Sequence, residues 1–210
     1  MQIHHDRVLG AALAASAALC GMPALASTSP VTAYYPNAYV SGPDRVAMQI
    51  DVLASVGGRC GFASNSAPSG TVDAGVIDAA AWSGQIPFTA ECTAPWRIAV
   101  TSLNGALQAG TANSDPGYTD KAPYTVALNV ASDSGTVASS CPVGQIAQGI
   151  SGSTCDFNGT ASASNGLLVP RSYGLAGSYI AVSAPAYSGT DQLIAGSYSD
   201  TLTVTISPAS

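Results

Sequence analysis

Charged residues that favour helices are almost absent from this chain. Lys121 is the only lysine and Glu91 the only glutamate among 210 residues, and charged residues make up 9% of the sequence. Lysine and glutamate are strong helix formers, whereas the abundant valine and threonine favour strands and the abundant glycine and proline favour turns. The composition therefore predicts an all-β fold.

Histidine is also scarce, and its scarcity limits the available chemistry. The only two histidines, His4 and His5, lie in a segment that we expect to be removed from the mature protein. Ser-His-Asp and Cys-His nucleophile systems are then excluded, as is the commonest general base near neutral pH. We expect no enzymatic activity and no cofactor, and a hydrolase that uses two aspartates is a distant alternative.

Positive charge is the third shortage. Six lysine and arginine residues are set against twelve aspartate and glutamate residues, which gives a net charge of −6 at pH 7. So few basic residues cannot build the positive surface that attracts a phosphate backbone or an anionic membrane. We therefore expect no nucleic-acid partner.

Residues 1–26 have the pattern of a secretory signal peptide. Basic Arg7 precedes an apolar run that ends at Leu19, and the small residues of the sequence PALA predict cleavage after Ala26. The run is too short to span a membrane, and no later stretch approaches ~20 apolar residues. A lipid anchor at Cys20 is the weaker alternative, because the residue before it is not small.

Four cysteines follow the signal peptide: Cys60, Cys92, Cys141 and Cys155. An even number in a secreted chain predicts two disulfides, each worth roughly 3–4 kcal/mol. Three pairings are possible, and the sequential one closes the most compact loops. A zinc site is disfavoured, because there is no CxxC pair and the histidines leave with the signal peptide, so we expect no metal.

The mature chain divides into a leader and one domain. The leader, 27–45, is rich in proline and tyrosine and shows no sustained periodicity. The domain, 46–210, contains about six or seven short strand candidates separated by turn signals, which is typical of a β-sandwich. Residues 61–84 are predicted to be a loop with a possible short strand or turn near its end, and 133–165 a long loop or an irregular hairpin.

Two long segments alternate clearly between apolar and polar residues. In 123–132 the apolar face consists of Tyr124, Val126, Leu128 and Val130, and in 46–53 it consists of Val46, Met48, Ile50 and Val52. Period-2 alternation of this kind predicts strands with one buried face. The second segment directly precedes the first cysteine of the mature chain.

The last strand raises a question about its partner. Leu202, Val204 and Ile206 alternate with threonines, and only three residues follow Ser207. If no neighbour completes its sheet, an apolar groove stays open, and the N-terminal segment of another copy can fill it by strand addition. Four aliphatic side chains at roughly 1.5–3 kcal/mol each contribute about 6–12 kcal/mol before ordering costs. Pairing of 46–53 or 31–40 with this strand within one chain is the alternative.

Two further groups are candidate ligand sites. Trp82 and Trp96 are candidates for a sugar-stacking face, although aromatic residues of a small sandwich more often belong to the core. Asp115 and Asp120 lie in a loop that is a candidate for calcium, but their spacing misses the EF-hand pattern. We favour a place in the core for the tryptophans and a role in turns at the surface for the aspartates.

Several stretches together match a known pattern. They are VAMQIDVLASVGGRC, IPFTAECTAPWRIAVTSLNGAL, APYTVALNV and LLVPRSYGLAG, followed by a closing G-x-Y-x-D-T-x-x-V-T. The closing pattern is the most specific, and it is carried by Gly196, Tyr198, Asp200, Thr201, Val204 and Thr205. Over about 46–208 the chain resembles the spore-coat-U-like domain of pilins from archaic (Csu-type) chaperone-usher systems.

This resemblance implies an incomplete immunoglobulin-like β-sandwich that lacks its last strand. A periplasmic chaperone lends a strand, and an outer-membrane usher exchanges it for the N-terminal segment of the next pilin subunit. By position, the donor residues are Val46, Met48, Ile50 and Val52, and the resemblance also implies a bond between Cys60 and Cys92. The expected function is that of a structural subunit of a secreted adhesive pilus at the cell surface, serving surface attachment or biofilm formation. The alternative is a monomeric secreted carbohydrate- or surface-binding sandwich.

Overall fold

The computed structural model describes residues 53–209, in which every regular element except one short helix is a β-strand. The strands are β1 (Cys60–Phe62), β2 (Trp82–Phe88), β3 (Ala90–Cys92), β4 (Trp96–Ser102), β5 (Leu107–Ala109), β6 (Tyr118–Thr119), β7 (Lys121–Ala122), β8 (Thr125–Ser132), β9 (Gly135–Pro142), β10 (Leu167–Val169), β11 (Ser172–Tyr173), β12 (Ser178–Ala184), β13 (Gln192–Leu193), β14 (Tyr198–Ser199) and β15 (Leu202–Pro208). The helix is a single 3-10 turn, Val143–Ile146. Within this range, no helix has the length and apolar character that a membrane crossing requires.

Six strands of seven or eight residues, together with the short strand β10, build two main antiparallel sheets. One sheet has four strands in the order β2-β12-β8-β9, and the other has three in the order β10-β4-β15. Three smaller sheets, β1-β3-β11, β14-β5-β7 and the parallel pair β13-β6, lie beside them. The all-β sandwich prediction is confirmed.

The core lies between the two main sheets. Alternation along β8 directs every second side chain inward, whereas β4 is apolar over most of its length. The inward side chains include Val126, Leu128 and Val130 on β8 and Trp96, Ile98 and Val100 on β4, all at most 1% exposed. Burial of the five aliphatic side chains among these contributes about 1.5–3 kcal/mol each.

Two loop predictions need correction in part. Residues 133–165 contain the strand β9, which forms a regular hairpin with the preceding strand β8, so the hairpin begins outside the stretch that was predicted to hold a long loop or an irregular hairpin. Residues 63–81 form no strand, but β1 extends to Phe62 and β2 begins at Trp82, both inside the stretch 61–84 that was predicted to be a loop. All seven β2 residues pair with β12, and this pairing imposes an extended conformation that Gly84 and its polar neighbours do not signal.

Both disulfides follow the sequential pairing. Cys60 and Cys92 lie opposite each other in the β1–β3 pair, with Cα atoms 4.1 Å apart. Cys141, near the end of β9, is bonded to Cys155, with Cα atoms 5.9 Å apart. The predicted bonds are confirmed, and the second one pins the loop that follows the 3-10 turn to the four-stranded sheet.

Candidate functional site

A groove runs between the edges of the two main sheets. Among the described residues, β2 pairs only with β12 and β15 only with β4, so each strand lies at the edge of its sheet. The two edges border one cavity of about 360 Å³. We call it the edge groove, and its apolar lining includes Trp82, Ile86, Ile180, Val182, Leu202 and Val204.

The β15 wall of the edge groove comes from the alternation seen in the sequence. Leu202, Val204 and Ile206 contact the core but stay half-buried, and Thr203 on the opposite face is exposed. Their partners in β4 are fully buried. The difference follows from position, because β4 has neighbours on both sides and β15 has a described neighbour on one side only.

The β2 wall has the same character. Trp82, Gly84 and Ile86 are half-buried, and they alternate with the exposed Ser83 and Gln85. The Trp82 ring lies 5.8 Å from the Tyr124 ring, so that an aromatic pair closes this end of the groove. Trp82 also lines a second cavity of about 460 Å³, which shares Tyr124 with the edge groove.

At one end of the edge groove, the carboxylate of Asp200 accepts hydrogen bonds from residues at or next to the ends of β4, β8 and β15. The hydroxyls of Ser102 and Tyr124 donate to its Oδ2 at 2.6 and 2.8 Å. The backbone N–H groups of Asn104 and Thr201 donate to its Oδ1 at 3.0 and 2.7 Å. Because these donors come from the end of β4, the start of β8 and the start of β15, Asp200 fixes the two sheets relative to each other where the groove ends.

Tyr124 gives this network a measurable dependence on pH. Burial, with smaller effects from the hydrogen bond to Asp200 and the charge of that carboxylate, raises the pKa of Tyr124 well above its ordinary value of 10.0. The folded chain then keeps a proton that the unfolded chain releases above about pH 10. Because the unfolded state binds fewer protons there, the stabilisation is fully present below that pH and is lost as the pH rises further.

We therefore expect the free energy of unfolding to fall above about pH 10 in the wild type, and to fall less steeply in Tyr124→Phe. The phenylalanine variant should also lose about 1 kcal/mol at neutral pH with its hydrogen bond. Urea unfolding between about pH 8 and 11 measures both effects. Tyr173→Phe, at a side chain that is 65% exposed, is the matched control. Equal alkaline slopes in Tyr124→Phe and the wild type would contradict the assignment.

The other predicted site residues fall into distinct places. Val46, Met48, Ile50 and Val52 lie outside the described residues, as do the leader and the signal peptide. The four cysteines serve as disulfides away from the lining of the edge groove. Their role is structural.

The candidate ligand residues also separate. Trp96 is fully buried, and its Nε1 donates to Ser172 Oγ at 3.3 Å, so it belongs to the core and cannot stack on a sugar. Trp82 lines the groove. The Asp120 carboxylate accepts from the backbone N–H of Asn113 at 3.3 Å. In the part of the chain that the structure describes, no three or more His, Cys, Asp or Glu side chains cluster as a metal site.

No family model, curated protein or solved structure matches this chain. The functional argument therefore depends on the edge groove and on the sequence pattern that forms its walls.

Proposed function

We propose that the protein is a structural subunit of a secreted adhesive pilus that polymerises by donor-strand exchange. The observation that carries the proposal is the edge groove, in which Leu202 and Val204 on one sheet edge face Trp82 and Ile86 on the other. Half-buried apolar side chains along two sheet edges are the acceptor that strand addition requires. In this proposal the sandwich is an incomplete immunoglobulin-like one, and the missing strand belongs to another copy.

The segment 46–53 is the proposed donor. Its apolar residues, Val46, Met48, Ile50 and Val52, have the period-2 spacing of a strand whose one face is buried. Inserting them contributes about 6–12 kcal/mol before the ladder hydrogen bonds and the ordering cost are counted. Because the donor and the groove are different surfaces of one subunit, the contact is head-to-tail and extends into a fibre instead of closing as a dimer.

The proposed partners follow from this mechanism. They are other pilin subunits of the same or a related type, a periplasmic chaperone that covers the groove before assembly, and an outer-membrane usher that exchanges the strands. The signal-peptide pattern and the resemblance of the strands to archaic chaperone-usher pilins support a location at the cell surface. An exposed apolar groove also explains why a chaperone is needed, because unpaired apolar edges aggregate.

The test is a charged substitution on the apolar face of the donor segment 46–53, made in the full chain. Ile50→Asp should abolish the SDS-resistant, heat-sensitive ladders that strand-exchanged subunits form, because an aspartate cannot be desolvated in the groove without a partner. Gln49→Asp introduces the same charge on the opposite face of the same segment and should leave the ladders intact. Unheated SDS gels of the secreted protein show whether each variant forms the ladders. Ladders that persist in Ile50→Asp would contradict 46–53 as the donor.

A monomeric secreted binding module is the second candidate, and the position of Trp82 favours it. The side chain is half-buried, lies beside Tyr124, and lines two adjoining cavities. This function requires a stable monomer whose glycan binding is lost in Trp82→Ala and retained in Gln85→Ala, a change at an exposed β2 position. A soluble monomer without ladders would favour this candidate over the pilus subunit.

A further inference from the structure

The segment 67–75, between β1 and β2, lies against the edge groove. We call it the strap. Pro68, Val72 and Ala74 are half-buried, and the groove is lined by every residue from Pro68 to Val72 and by Ala74, whereas Asp73 is exposed and lies outside the lining. The strap therefore lays a run of mostly small residues along the groove, with Val72 as its larger aliphatic side chain.

Val72 is the main contact of the strap with the groove, and Gly84 makes room for it. A Cβ atom added to Gly84 would lie 3.2 Å from the Cβ of Val72 and nearer still to its γ carbons. Any larger residue at position 84 would therefore displace the valine. Gly84 lies in the middle of β2, where glycine weakens a strand, so close approach of another chain segment is a physical reason for its presence.

The strap is anchored at both ends but not along its length. Next to its start, the Thr89 N–H donates to the Ser66 carbonyl at 3.1 Å, and beyond its end the Tyr187 N–H donates to the Ile77 carbonyl at 2.9 Å. Between these anchors, no backbone group of 67–75 bonds to the backbone of another described residue. Among the described residues, the one hydrogen bond of this stretch is local, from the Gly75 N–H to the Asp73 carboxylate.

We propose that the strap is an internal placeholder that covers part of the edge groove until a donor strand displaces it. The inference rests on the proposed function, and it adds a regulation of the same site. A donor inserts four aliphatic side chains and forms a backbone ladder, whereas the strap inserts one valine without a ladder. The strap therefore shields apolar surface in the free subunit and yields to a donor, so its opening sets the rate of strand insertion.

The test measures how fast the groove accepts a labelled peptide with the sequence VAMQIDVL, residues 46–53. The acceptor is the full chain carrying Ile50→Asp, whose own donor is disabled. Adding Val72→Ser should speed peptide insertion about tenfold, as expected when one buried valine no longer holds the strap in place. Ala67→Ser, at an exposed strap position that does not line the groove, is the control and should leave the rate unchanged.

A second variant locks the strap. In the double variant Val72→Cys, Gly84→Cys, the distance between the two Cβ atoms is close to the ~3.5–4.5 Å that a disulfide spans. Oxidation of this pair should slow insertion about tenfold or more relative to single Val72→Cys with its thiol capped, because the strap cannot leave. Mass spectrometry of the alkylated protein confirms the new bond.

The outcomes separate the two proposals. Insertion that is faster in Val72→Ser and slower in the locked variant supports the placeholder. If the peptide enters both Val72→Ser and the locked variant at the rate of the parental Ile50→Asp chain, the strap is not a placeholder. Strand addition to the groove is still supported in that case, because the peptide has entered. If the peptide enters none of the variants, the proposed donor is wrong, and the placeholder falls with it.

Discussion

We expect Val204→Asp to stop the proposed polymerisation completely, as Ile50→Asp is expected to do from the donor side. Val204 lies in the middle of β15, half-buried, and its side chain faces the edge groove. A carboxylate at this position would have to be buried without a partner when a donor strand enters, and burial of an unpaired charge costs several kcal/mol or more. SDS-resistant ladders should disappear. Thr203→Asp, on the exposed opposite face of the same strand, should leave them unchanged.

A mixing experiment separates a blocked groove from an unfolded subunit. The Val204→Asp chain keeps its donor segment, and the Ile50→Asp chain keeps its groove. Each alone should remain a monomer, whereas together they should form a heterodimer and nothing longer. If the mixture gives no dimer although both variants retain their disulfides and strand content, assembly through these two surfaces is contradicted.

Asp200→Ala lowers the free energy of unfolding by about 2–6 kcal/mol, the largest effect on stability that we expect. The estimate takes ~1–3 kcal/mol for each of two buried hydroxyls, Ser102 and Tyr124, that lose their acceptor. Native domains are stable by only about 5–15 kcal/mol, so the loss takes a large share of the total. Urea unfolding with the disulfides intact measures it.

Two further variants make the Asp200 prediction specific. Asp200→Asn keeps one oxygen for the hydroxyls but offers an NH₂ group to the backbone N–H groups of Asn104 and Thr201, so an intermediate loss is expected. Asp156→Ala removes an exposed carboxylate and should cost less than about 0.5 kcal/mol. A loss in Asp200→Ala no larger than in Asp156→Ala would show that the network does not join the sheets.

Alternation was sufficient to predict two of the strands of the main sheets, β8 and β15. In β8 the inward residues are apolar and the outward ones are small or polar, and β15 repeats the pattern with threonines outward. Both follow directly from the period-2 geometry of a strand with one buried face. The composition and the cysteine count likewise predicted the fold class and the disulfides, since neither depends on long-range register.

Elements stabilised by their neighbours could not be predicted in this way. The sequence of β9, GTVASSCP, contains small and polar residues and becomes a strand because β8 offers it a complete ladder. β2 begins early for the same reason, through β12. Pairings of this kind depend on residues that are distant in the sequence, and local patterns do not report them.

The groove itself was only half predicted. Leu202, Val204 and Ile206 were expected to line it, and the structure places Leu202 and Val204 on its wall, with Ile206 against the core further along β15. The opposite wall on β2 and the contact of Val72 with Gly84 were missed, because residues 61–84 show no alternation long enough to notice. For Asp200 no hydrogen-bonding role was predicted from the sequence. Its place in the closing sequence pattern, just before a strand, was the signal that a structural role was possible.

The Cys60–Cys92 bond has a mechanical consequence. Tension applied to a fibre of such subunits would enter each one through the chain that precedes Cys60 and pass across the sulfur bridge to β3. Residues 61–91, which include the strap and β2, lie inside the covalent ring, so this tension cannot pull their backbone out into an extended chain. Roughly 100 Å of extendable chain, at ~3.3 Å per residue, is thereby withheld from stretching, and the wall of the groove keeps its shape under load.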